Sequence, residues 1–103
     1  MNEAELRGFL ADSLELWRVV GTVEPAAAPI VAVIRANTGA IVWIERPLEE
    51  TPFRWLVRWR GAGDAPGSAR ETRPRPCGSL VGVLNAVRGA LGVKRGSAVR
   101  IAK

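Results

Sequence analysis

Near the start of the chain Leu6, Phe9, Leu10 and Ser13 or Leu14 recur at helical spacing, with Glu3 and Arg7 on the other side. Asn2 followed three residues on by Glu5 supplies a cap and a reciprocal carboxylate, so a first helix is predicted to begin near residue 3. From Leu14 the texture becomes large and β-branched, LELWRVVGTV, until Glu24-Pro25 and three alanines close it. That predicts a strand over about 15–23. Residues 30–35 are apolar on both faces and predict a central strand. Ala36-Asn37-Thr38-Gly39 offers Asn and Gly where a tight turn needs positive backbone angles, and residues 41–46 return as the partner strand.

Residues 53–60, FRWLVRWR, alternate with a period of two. Phe53, Trp55, Val57 and Trp59 point one way; Arg54, Leu56, Arg58 and Arg60 point the other. Residues 61–76 carry four glycines or prolines in their first seven positions and Arg70, Arg73 and Arg75 near their end, which predicts a long flexible loop. Ser79 is placed to cap a second helix over 80–91, with Leu80, Leu84, Val87 and Leu91 facing the core and Gly92 ending it. Val99 and Ile101 alternate in a short last strand, 97–102. The order is read as α-β-β-β-α-β in one α+β domain spanning residues 1–103: a mostly antiparallel sheet of four to five strands with two helices packed on one face. The α-β-β-β-α part is similar in element order to double-stranded RNA-binding domains. It departs from them at the second helix, which begins Cys77-Gly78-Ser79-Leu80-Val81 where that family has a lysine-rich start, and in its extra last strand. No family is assigned on element order alone.

Composition narrows the chemistry more than the fold. The 103 residues include no histidine, no tyrosine and one cysteine, Cys77. Nucleophile systems that need an imidazole base and zinc sites built from Cys and His are therefore excluded within one chain. The acids show no calcium-loop or paired-acid spacing, so the chain is read as non-catalytic, without cofactor or metal. No apolar run reaches the roughly 20 residues that span a bilayer, and the start has no basic and apolar export signal. With a lone thiol, that points to a cytoplasmic protein away from membranes.

Charge is divided between the halves. Residues 1–52 hold four Arg against eight acids, a balance of −4; residues 53–103 hold nine Arg and two Lys against Asp64 and Glu71, a balance of +9. A basic half is the electrostatic footprint of a polyanion binder. Two groups of residues are candidates. Arg54, Arg58 and Arg60 form a row on one strand face, where side chains two apart stand about 6.6–6.8 Å from each other, comparable to successive phosphates of a nucleic-acid strand. Arg70, Arg73 and Arg75 precede a helix start at Gly78 and Ser79, whose free amides favour an anion and would lower the Cys77 thiol pKa. The sequence thus reads as a small binding module for nucleic acid or another polyanion, with an acidic protein surface as the next partner. The competing reading is an accessory or structural protein, a homodimer or subunit that pairs an exposed strand edge or its acidic half with another chain. Four tryptophans could stack on bases; Trp55 and Trp59 are assigned to the core, and an exposed Trp43 or Trp17 would mark a partner surface.

Overall fold

The structure, a computed structural model, describes residues 2–68 and 73–93. In them the chain forms α1 (Glu3–Leu16), β1 (Gly21–Glu24), β2 (Ile30–Ala36), β3 (Ile41–Glu45), β4 (Trp55–Arg60), β5 (Arg75–Cys77) and α2 (Leu80–Ala90). The strands pair antiparallel in chain order, β1-β2-β3-β4-β5. The α+β class and the antiparallel sheet agree with the sequence reading. The element order does not: five strands stand between the helices, one more than the four segments predicted there (15–23, 30–35, 41–46 and 53–60) and two more than the order α-β-β-β-α-β writes. The predicted last strand, 97–102, and Arg70 lie outside the described residues.

The cap of α1 is as expected. Glu5 N–H donates to Asn2 Oδ1 at 2.8 Å while the Glu5 carboxylate accepts from the Asn2 amide. Leu6, Leu10 and Leu14 are buried, but Phe9 is 46% exposed, so the stripe is narrower than predicted. The helix also runs through Glu15-Leu16, which the sequence reading gave to a strand. Leu14 is the third turn of the same stripe, and its burial against the sheet outweighs the local β texture. Arg18 then takes a left-handed φ of 57°, with Arg18 N–H on Glu15 O and Val19 N–H on Leu14 O, and the first strand shrinks to four residues.

The β2–β3 turn closes through Gly39 N–H to Ala36 O and Ala36 N–H to Ala40 O, both at 3.0 Å. Only Gly39, at φ 99°, uses the positive region; Asn37 does not. In β2 the register shifts between Ile30 and Ala32, and Arg7 of α1 donates to the Val31 carbonyl at 2.9 Å, supplying a partner beside the irregularity.

Both helices pack on one face. Leu6, Leu10 and Leu14 of α1 and Val83, Ala86 and Val87 of α2 share one core cluster with Ala32, Ile34, Val42, Ile44, Trp55, Val57 and Cys77. The stripe of α2 is centred on Val83 and Val87, with Leu80, Leu84 and Leu91 packed at its margins, a rotation from the predicted leucine line. Small Ala86 at the contact lets the helix approach the sheet closely. Trp55 and Trp59 face this core as expected.

Candidate anion-binding surface

Sequence alternation places Arg58 and Arg60 correctly on the face of β4 away from the helices, but they are not a free, solvated row. Trp43 of β3 is the register partner of Arg58, and Glu45 that of Leu56, so Arg58 and Glu45 are diagonal neighbours on that face. The Arg58 guanidinium is ion-paired with the Glu45 carboxylate; its side chain is only 33% exposed and its Nε is buried. Arg60 lies over the Trp43 ring, 5.7 Å from the centroid, and Arg54, outside the strand, lies over the Trp55 ring at 5.2 Å. Such contacts are worth about 0.5–1 kcal/mol where water has access.

Arg75 goes elsewhere. β5, which the sequence reading left inside the loop, pairs Val57 with Arg75 and Trp55 with Cys77, so both side chains lie on the helix side of the sheet. The chain reverses at Gly78 and Ser79, and α2 runs back along β5. Arg75 therefore meets the later turns of α2, lining a cleft of about 310 Å³ with Asn85, Arg88, Gly89 and Val93. It does not meet the helix start: Ser79 Oγ there accepts from Gly82 N–H at 3.1 Å, and Gly78 is exposed. Arg75 is thus on a different face from Arg58 and Arg60, and exposed Arg73 lies two residues before the edge strand. β5 was not legible because Pro76 cannot donate to a ladder and reads as loop; among the described residues β5 pairs only with β4, and an edge strand tolerates proline.

Arg88, which the sequence reading does not single out, stands in the last turn of α2, where a cation complements the helix dipole. Its guanidinium donates to Asn85 Oδ1 at 3.0 Å and lies 5.9 Å from the Trp17 ring centroid, and it lines the same cleft as Arg75. No acidic residue lines the cleft among the described residues. Three carboxylates elsewhere in the molecule are engaged with cations of their own: Glu24 with Arg35 at 3.2 Å, Glu3 with Arg46 at 3.4 Å, and Glu45 with Arg58. Cys77 is 4% exposed. Burial pushes its thiol above the ordinary range, and the nearby charge of Arg75 pulls the other way without prevailing. The lowered thiol pKa expected from a helix start and arginines is overturned by that burial.

Among the described residues no three metal-ligating side chains gather, and no helix is long and apolar enough to cross a membrane. No family model, curated protein or solved structure matches the chain.

Proposed function

We propose that the protein is a small non-catalytic binding module for a polyanion, nucleic acid first, which it engages through the edge formed by Arg73, Arg75 and Arg88. One observation carries this reading: Arg75 and Arg88 share a cleft that no carboxylate lines, while Arg35, Arg46 and Arg58 each have an acidic partner. Two guanidiniums held near each other repel, and an anion between them relieves that repulsion while accepting their forked donors. Phosphate contacts of this kind position a ligand without reading its sequence. A lone cysteine suits the reducing cytoplasm, where we place this activity.

The test is an anisotropy titration of mixed-sequence RNA and DNA at low salt. The unmodified protein binds, and Arg75→Ala with Arg88→Ala weakens binding by a similar factor for every sequence. Absence of binding by the unmodified protein removes nucleic acid from consideration.

A second reading, association with another protein chain, is favoured by β1. This edge strand has no lysine or proline within it, and beside it Leu14, Val19, Val20 and Val23, with Glu15, line a cleft of about 300 Å³. An apolar interface there persists as salt rises, whereas arginine–phosphate binding falls log-linearly.

A further inference from the structure

Because both helices cover the same face of the sheet, the opposite face carries no helix. Its register aligns Val33, Trp43 and Arg58 in one row and Arg35, Ile41 and Arg60 in the next. Trp43 is the one tryptophan of the four that neither joins the core cluster nor packs against it, and it is half-buried rather than enclosed. The acids of this face, Glu24 and Glu45, are already paired with Arg35 and Arg58. Arg60, over the Trp43 ring, has no carboxylate partner among the described residues.

We infer that this face binds single-stranded nucleic acid, with a base stacked on Trp43 and the adjoining phosphate on Arg60. The inference rests on the polyanion reading above, names its ligand class, and adds to the Arg75–Arg88 cleft a second contact surface on the helix-free face. A planar ring flanked by apolar Val33 and Ile41 and one uncompensated guanidinium complements a base with its phosphate. A base within a duplex is already stacked on its neighbours and cannot lie on a ring, whereas an unpaired base is free to do so. Base stacking on an aromatic side chain is worth more than an exposed guanidinium–ring contact, so Arg60 yields the ring and takes the phosphate.

The experiment compares three labelled probes of equal length at low salt: an oligothymidylate, an abasic deoxyribose-phosphate oligomer, and a thymidine–adenosine duplex. The unmodified protein binds the oligothymidylate roughly 5- to 150-fold more tightly than the abasic oligomer, and more tightly than the duplex. Trp43→Leu brings oligothymidylate and abasic oligomer level without weakening the abasic complex; Trp43→Phe keeps most of the preference. Equal binding of base-bearing and abasic probes by the unmodified protein overturns the stacking inference and leaves the polyanion reading standing. Binding of none of the three overturns both. That first comparison needs no variant, so a Trp43→Leu chain that fails to fold does not decide the matter. A folded Trp43→Leu protein that retains the preference, or that changes only its oligomeric state, also overturns the inference.

Discussion

Trp55 and Arg58 stand three residues apart on opposite faces of β4, and each is held by a different kind of force. Trp55 is 6% exposed within the shared core, so Trp55→Ala removes transfer energy and leaves a cavity, at a cost of about 3–5 kcal/mol. Arg58→Ala is milder but not silent. It leaves Glu45, whose side chain is 12% exposed, without its ion partner, and a charged group stranded in that way costs roughly 1–3 kcal/mol. Removing Glu45 as well costs less than the sum of the two single changes, because the second substitution deletes the stranded charge. Urea melts of the four proteins check both statements. An Arg58→Ala protein less stable than Trp55→Ala would mean that the aromatic row of β4 faces outward. Alternation alone assigned both residues to their faces. The partner of Arg58 was not legible, because Glu45 is thirteen positions away in sequence and becomes adjacent only through the β3–β4 register.

The two helices end in the same motif with different residues at its left-handed position. After α2, Gly92 sits at φ 73°, with its N–H on Gly89 O and Val93 N–H on Arg88 O. After α1, Arg18 occupies the equivalent place at φ 57°. A side chain with a Cβ is strained there and glycine is not, so Arg18→Gly is expected to stabilise the protein by about 0.5–1 kcal/mol. Thermal melts check it, and a loss of stability would show that the Arg18 side chain contributes more than its backbone strain costs. The difference also explains what was readable at this scale. Gly92 announced the end of α2, whereas Arg18 announced nothing, and the strand was read as beginning where the helix still had two residues to run.

Charge acts at the scale of the whole molecule. Acidic residues of the first half neutralise Arg35, Arg46 and Arg58, and the cleft between β5 and α2 is lined by cations that no described acid meets. Each arginine that contacts a phosphate adds about one unit to the slope of log affinity against log salt. The Arg75→Ala, Arg88→Ala double variant is therefore expected to lower that slope by about two, and Arg58→Ala to leave it nearly unchanged, because Glu45 already neutralises Arg58 in the free protein. Titrations at several salt concentrations measure both slopes. A large fall with Arg58→Ala alone would mean that Arg58 itself contacts phosphate in spite of Glu45.

Local features were written in the sequence itself: the Asn2–Glu5 cap, the turn at Gly39, the alternation of β4 and the stop at Gly92 each depend on residues within a few positions of one another. So was the lack of any imidazole, and of the Cys and His set from which one chain builds the usual zinc site, which follows from the residue counts. What depended on distant pairing was decided by the fold. Pro76 became part of a strand because β4 offered it an edge position, Glu15-Leu16 stayed helical because Leu14 before them is buried against the sheet, and Arg75 was carried to Arg88 because α2 runs back along β5. Spacing along a chain determines which face of an element a side chain occupies; which elements that face meets, and whether its charge is neutralised there, depends on packing between residues far apart in sequence.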